Sequence, residues 1–398
     1  MSNSVPNALR RVDAAFEFIT KLGVPFYTFH DVDVAPEGAT LKESNENLDK
    51  VVDYLEKKQK ETGVKLLWGT ANLFSHPRYA QGAATSPDAH VFAMAAAQVK
   101  KAMEVTYRLG GENYVFWGGR EGFQSALNTN VRKELDNLAA FLHMAVEHKK
   151  NLGAKFQFLI EPKPREPSGH QYDYDAQTVY GFLKHYDLQD HFKVNIEPNH
   201  TTLAGHSYEH DLIMSSKFGY LGSIDANTGT ENVGWDTDQF PMDLKKAMLV
   251  MQVVIENGGI APGGLNFDAK VRRESTDLED YFIGHIGAMD TFARGLKAAA
   301  ALKSDGTYDA MLKERYASYD SGFGKQIEDR KVSMKDCEEW IHKNGEAKRI
   351  SGKQEKFEML YNCEGGGGGA RVPAPRVRVD SPRASLLPPS PRLRLSCG

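Results

Sequence analysis

FQFLIEP (156–162), FKVNIEP (192–198), LGSIDAN (221–227) and GLNFDAK (264–270) share one form. Each is an apolar run of strand length that closes on an acid, too short for a helix of its own. Upstream, PFYTFH (25–30), KLLWGT (65–70) and NYVFWGG (113–119) repeat the form with a polar or aromatic residue at the end. Segments of helical period separate them, among them SNENLDKVVDYLEKKQKE, DAHVFAMAAAQVKKAMEVTYRL and MDLKKAMLVMQVVIEN. Seven β units joined by helices of suitable length predict a parallel sheet with helical crossovers. Strand ends rich in His, Trp, Glu and Asp narrow this to an α/β fold, a (β/α)8 TIM barrel with its active site at the carboxyl rim of the strands. A barrel wants eight strands. The first helix, NALRRVDAAFEFITKL, has no strand before it, so the expected barrel lacks its first strand, or that segment lies outside this chain.

Residues 1–302 therefore form the expected catalytic barrel. Residues 303–362 carry helices without strands (TYDAMLKERYAS, VSMKDCEEWIHKN, SGKQEKFEMLYN) and are expected to form a C-terminal helical arm. From residue 363 the composition breaks: six Gly, six Pro and six Arg against two acids cannot bury a core, so 363–398 is expected to be disordered. An Arg-rich tail can tether a nucleic acid or a membrane surface. This one has no aromatic residue for base stacking and reads better as a passenger sequence.

Of 398 residues, 53 are acidic and 49 basic, and the net charge of −4 is too near balance for a nucleic-acid or polyanion surface. No run approaches the ~18 apolar residues of a membrane span, and the N-terminus lacks the hydrophobic core of a secretory signal. A cytoplasmic chain with neither membrane nor nucleic-acid partner is expected. Cys337, Cys363 and Cys397 show no metal or redox spacing.

Six carboxylates fall on or just after the last four strands: Glu161, Glu197, Asp225, Asp236, Asp238 and Asp268. Any one alone reads as a surface or capping acid. Gathered in one mouth they repel, since two like charges ~4 Å apart cost about 4 kcal/mol at an effective dielectric near 20. Divalent metal is the natural counter-charge, and carboxylate-rich ligation with one imidazole favours Mg2+ or Mn2+, with Co2+ tolerated, over zinc. In Glu161-Pro-Lys163-Pro the prolines keep the backbone extended, so the acid and the ammonium at i, i+2 enter the pocket together. In Glu197-Pro-Asn-His200 the three-residue separation returns the imidazole to the side of the acid once the chain turns, and Glu197 could then bridge two ions. Asp236-Thr-Asp238 suits one cation or, alternatively, a polar turn. His30 is followed by Asp33, which can fix its tautomer for acid–base work, although His30 also fits a strand-end cap. Phe74 and Trp117 either exclude water from a substrate or pack as core. His76, His206 and His210 read as structural or surface residues.

The motifs HDVD (30–33), NLFSHP (72–77), ENYVFWGGREG (112–122), IEPKP (160–164), HQYDYD (170–175), WDTDQF (235–240), NFDAK (266–270) and RRESTDLED (272–280) together resemble the xylose isomerase family. The likeness is greatest to its longer-chain class, which includes the plant enzymes, and it runs from about residue 5 to Asn362. It implies a metal-dependent (β/α)8 aldose–ketose isomerase acting on xylose and glucose, normally a homotetramer held partly by the helical arm. It also implies two divalent cations per subunit. Glu161, Glu197, Asp225 and Asp268 would hold the one that binds sugar O2 and O4; Glu197, His200, Asp236 and Asp238 would hold the catalytic one. His30, oriented by Asp33, would assist ring opening, Lys163 would hydrogen-bond O1, and Trp117 and Phe74 would wall a dry site. The implied chemistry is a 1,2-hydride shift from C2 to C1. The family carries one further strand and helix ahead of the point where this chain starts, and from a neighbouring subunit that segment brings an aromatic residue to the substrate. Two other readings are a zinc-dependent enzyme on the same barrel, which the carboxylate-heavy ligand set opposes, and a catalytically silent subunit that joins full-length partners.

Overall fold

The computed structural model describes residues 3–365, so most of the Arg/Pro-rich stretch lies outside the described residues. Seven parallel strands make one sheet: β1 (Phe26–His30), β2 (Lys65–Thr70), β3 (Asn113–Trp117), β4 (Gln157–Glu161), β5 (Phe192–Ile196), β6 (Leu221–Asp225) and β7 (Leu265–Asn266). They pair in sequence order and curl into a nearly closed barrel, as the sequence pattern required.

Helices α1 (Val5–Leu22), α2 (Leu41–Thr62), α3 (Ala89–Arg108), α4 (Val131–Leu152), α5 (Ala176–His185), α6 (His210–Lys217), α7 (Leu244–Glu256) and α8 (Leu278–Asp305) form the outer ring. Their starts and stops are encoded locally. Thr40 caps α2 by accepting the Glu43 N–H, Asn130 caps α4 by accepting the Lys133 N–H, and Gly153 ends α4 in the left-handed conformation that spares a side chain its strain. Helices α7 and α8 approach so closely at Gly295 that an added Cβ would lie 2.8 Å from the Ala247 backbone. Two short helical segments bend the chain at the ends of β1 and β5: Asp31–Val34, which the sequence reading did not contain, and Pro198–Leu203, where it expected a turn.

The barrel interior is layered, because alternate strand residues share one face. Asn113 and Gln157 form the lowest layer, with Gln157 Nε2 donating to Asn113 Oδ1 at 3.0 Å. Leu67, Trp68, Val115 and Leu159 pack together as an apolar cluster separate from the main core. The next inward positions on β4 and β6, and the residue just after β5, are Glu161, Asp225 and Glu197. The opposite face (Tyr114, Phe158, Ile160, Val194, Ile196) packs against the helices in the main core.

Among the described residues, β1 and β7 do not pair. Thr28 Oγ1 and Asn266 Oδ1 approach to 3.5 Å across the opening, and a cavity of about 710 Å3 lies between these edges and helices α1 and α8. The sequence reading of an open barrel is thus realised as a slot beside β1. After α8 the chain continues through α9 (Thr307–Tyr316), α10 (Gly322–Glu328), α11 (Met334–Asn344) and α12 (Gln354–Gly365). Helix α12 returns to the body, where Leu360 and Tyr361 pack against the main core. No helix among the described residues is long and apolar enough to cross a membrane.

Leu159, fully buried in the apolar cluster, should cost about 3 kcal/mol when shortened to Ala, through lost transfer energy and the cavity left behind. Urea denaturation checks this: the midpoint should fall with an unchanged slope.

Candidate metal centre at the carboxyl rim

The acids predicted from four strand ends meet in one mouth. Single carboxylate oxygens of Glu161, Glu197, Asp225 and Asp268 lie within 4.8 Å of one another, as do those of Glu197, Asp236 and Asp238. Glu197 belongs to both groups and sits between them. His200 joins through Nε2, 3.1 Å from Glu197 Oε1 and 2.9 Å from Asp236 Oδ2. Its Nδ1 lies 3.0 Å from the Pro162 carbonyl, which fixes the tautomer that leaves Nε2 facing the acids. The helical turn Pro198–Leu203 brings the imidazole back beside Glu197.

The backbone is bent to gather these groups. Asp238 and Asp268 occupy left-handed conformations at φ 42° and 39°, which Asp tolerates better than most residues. Asp268 is the one acid of its group that is exposed; Glu161, Glu197 and Asp225 are buried.

Burial and mutual repulsion push the acids up. Glu161 is raised well above the ordinary Glu value by desolvation and by the charges of Asp225 and Asp268. Glu197 is raised by desolvation and then by Asp236 and Asp268. Asp225 is pushed up to about 7 by burial and Asp268, and Asp238 to about 7 by burial and Asp236. Asp236 behaves oppositely: although burial alone would raise it, His200 and Lys163 hold its carboxylate far below the usual range. Glu197 Oε2 is buried with no hydrogen-bond partner. An orphaned carboxylate oxygen among raised acids is what a divalent cation would satisfy, and the residues present fit two such ions.

Beside the acids runs an aromatic wall. The rings of Phe74 and Trp117 meet edge to face at 4.3 Å, and His30 abuts Phe74 at 5.7 Å. His30 Nδ1 lies 3.1 Å from Asp33 Oδ2; burial would lower its pKa, but Asp33 and other nearby acids raise it on balance. The Lys163 ammonium sits 5.2 Å from the Trp117 ring centroid and is bonded to Asp236 Oδ2 at 2.9 Å, so it bridges the aromatic wall and the acids. The seven candidate ligands therefore meet at one rim, with Lys163 joining them to Trp117 and Phe74, and with His30 and its partner Asp33 beside Phe74.

A xylose isomerase of Caldicellulosiruptor bescii is 58% identical over 361 residues, which cover 91% of this chain and 82% of that protein. The chain belongs to the xylose isomerase family. The xylose isomerase of Arabidopsis thaliana is 56% identical over 360 residues, 90% of this chain and 76% of its own length. A family profile described as the XylA2 C-terminal domain matches residues 312–363, which run from α9 into α12. Among solved structures, an L-ribulose 3-epimerase superposes with a TM-score of 0.53 at 17% identity, covering 77% of this chain and 94% of that one, a likeness of fold. Membership of the xylose isomerase family makes the chain an isomerase and bears out the TIM-barrel reading.

The sequence reading of this xylose isomerase site missed a set of amides. Asn195 Nδ2 donates to Glu161 Oε2 at 3.0 Å and to Asp225 Oδ2 at 2.8 Å. Asn227 Nδ2 donates to Glu197 Oε1 at 2.7 Å, and Asn266 Nδ2 to Asp225 Oδ1 at 2.9 Å. Each stands two positions from an acid, in N-I-E (195–197), D-A-N (225–227) and N-F-D (266–268). Period two puts both on one face, a signal available in the sequence. Also missed was buried Glu121, which takes the Ala84 and Thr85 N–H groups, both at 2.9 Å, and so pins the loop that follows the Phe74 segment.

The raised acids give a signed dependence on pH. In protein stripped of divalent ions, the native state holds protons on Glu161, Glu197, Asp225 and Asp238 that the unfolded chain has released. Stability should therefore fall as pH rises from about 4 to about 8. Beside those four acids His200, lowered by burial, opposes this below 6.5. Scanning calorimetry with chelator should show the melting temperature dropping over that window. Excess Mg2+ should flatten the drop, and a rise without metal would contradict the assignment.

Proposed function

We propose that this chain is a xylose isomerase in activity as well as in family, interconverting D-xylose and D-xylulose, and glucose and fructose, after ring opening. The observation that carries the reading is the convergence of seven potential ligands from four strand ends beside His30, Lys163, Trp117 and Phe74. Glu161, Glu197, Asp225 and Asp268 would hold one divalent cation; Glu197, His200, Asp236 and Asp238 would hold the other, with Mg2+ fitting the oxygen-rich set and Mn2+ or Co2+ able to replace it. When bound, the pair supplies Lewis acidity at the sugar oxygens for a 1,2-hydride shift, in which hydride passes from C2 to C1 and a proton from O2 to O1.

The chain's own residues do the rest. His30, held by Asp33, moves a proton at the ring oxygen as the pyranose opens. Lys163 carries three donors; Asp236 takes one at 2.9 Å and Glu166 lies 3.6 Å away, leaving N–H capacity for O1 of the open chain. Phe74 and Trp117 cover the C1–C2 bond with apolar surface and exclude the water that would compete for a migrating hydride.

Residues 303–362 we read as an arm for assembly into a homotetramer. Met334 is 90% and Ile350 79% exposed, apolar surface that a subunit contact would cover.

Conversion of D-xylose to D-xylulose by the purified chain with Mg2+ tests the reading, and a folded, Mg2+-loaded chain with no turnover would overturn it. Glu197→Gln removes charge from both cation groups and should lower kcat/KM by at least ~10^3-fold. His30→Asn should lose roughly 10^2-fold or more on the cyclic sugar.

A further inference from the structure

Two buried carboxylates outside the cation groups hold the segment that carries Phe74. That segment, residues 71–86, leaves β2 and crosses the rim before α3. At its start Asp31, the residue after His30, accepts the Val32 and Asn72 N–H groups on Oδ1, both at 2.8 Å. Its Oδ2 accepts Gln98 Nε2 from α3 at 2.8 Å, and the Tyr79 hydroxyl donates to Gln98 Oε1 at 2.7 Å, which fixes the way that amide faces. Asn72 Oδ1 in turn accepts the Phe74 and Ser75 N–H groups at 3.2 and 2.9 Å, so a hold on Asn72 is a hold on Phe74. At the far end stands Glu121, four residues after Trp117. Its Oε1 accepts the Ala83 and Ala84 N–H groups at 3.3 and 2.9 Å, and its Oε2 the Thr85 N–H and hydroxyl at 2.9 and 2.5 Å. Arg120 Nε adds a bond to the Phe74 carbonyl at 3.2 Å. Both acids are buried, and every one of these donors to them is uncharged.

We propose that Asp31 and Glu121 are positioning residues for the isomerisation, a role that rests on the activity proposed above: they clamp residues 71–86 at both ends, so that Phe74 closes the dry wall against Trp117 and His30. An ionised carboxylate only accepts, which suits a site lined by donors alone. An amide of the same shape would turn an NH2 group toward N–H groups and leave them unsatisfied. Neither acid belongs to a cation group, and neither sits on β4 to β7. The clamp therefore acts on the wall: once loosened, it admits water to the C1–C2 bond and leaves the cation ligands where they are.

The test joins a double-mutant cycle on D-xylose turnover with Mg2+ to hydrogen exchange. Glu121→Gln and Asp31→Asn should each lower kcat/KM ~10-fold or more in the native chain and less than ~2-fold in a Phe74→Ala background, because the acids act through that ring. Equal losses in both backgrounds, as a general loosening of the fold would give, or no loss in the native chain, would overturn the proposal. Mg2+ uptake measured by calorimetry should be the same in both variants as in the native chain, and a loss of uptake would also overturn it. Hydrogen exchange depends neither on turnover nor on how a variant folds. In the unaltered chain the Asn72, Ala84 and Thr85 N–H groups, which lie outside helices and strands, should exchange slowly. In Glu121→Gln those of Ala84 and Thr85 should exchange at least ~10-fold faster. Fast exchange in the unaltered chain would overturn the clamp even where xylose is converted, whereas slow exchange without conversion would support the clamp and refute the activity.

Discussion

The constraint on which the rest depends is charge confinement. Several carboxylates, three of them buried, face one another within a few ångströms in a mouth that water reaches poorly. Repulsion of that kind would scatter the side chains on a soft scaffold. Here every acid is held by something stiff: a parallel strand end, a helical turn after a proline, or a loop bent through a left-handed residue. The geometry is thus maintained by the barrel, and the energy cost is left for a counter-ion to offset. That division fits a centre that must accept and orient an outside molecule.

The barrel does this economically because strand periodicity does two tasks at once. The inward positions below the mouth are filled by amides and then by apolar residues, which give a rigid floor. The same alternation sets an amide beside each buried acid, so donors arrive in register with the acceptors they serve. His200 is oriented from behind by a carbonyl, and Lys163 is flanked by an acid and by the face of Trp117. The aromatic wall and the acidic mouth are therefore two sides of one cleft, one dry and one polar.

Much of this was legible in the sequence. Apolar runs closing on polar residues gave strand positions to within two residues for β1 to β6, because buried parallel strands are nearly continuous hydrophobic runs. Strand β7 was harder: GLNFDAK reads as a full strand, yet among the described residues only Leu265 and Asn266 pair, both with β6. The helical turn at Asp31–Val34 was invisible because four residues are below the reach of a periodicity argument, whereas a turn after Glu197 was expected but not its extent, Pro198–Leu203. Tertiary placement also escaped. Nothing near Glu121 announced the loop it holds. The asparagines were readable in principle, but amides beside acids are too common in loops for their two-residue offset to be noticed without the strands in place.

The asparagines of the mouth carry one more consequence, for chemical ageing. Hydrolysis of the amide at 195, 227 or 266 would exchange a donor for another acid at the point where negative charge is least tolerated, so a single deamidation would both unhook a ligand and add to the repulsion. The residues that follow are Ile196, Thr228 and Phe267, none of them the glycine that most eases backbone attack, and the side chains at 195 and 227 are wholly enclosed. Longevity at high temperature in this fold is then partly a matter of how slowly three amide bonds are lost.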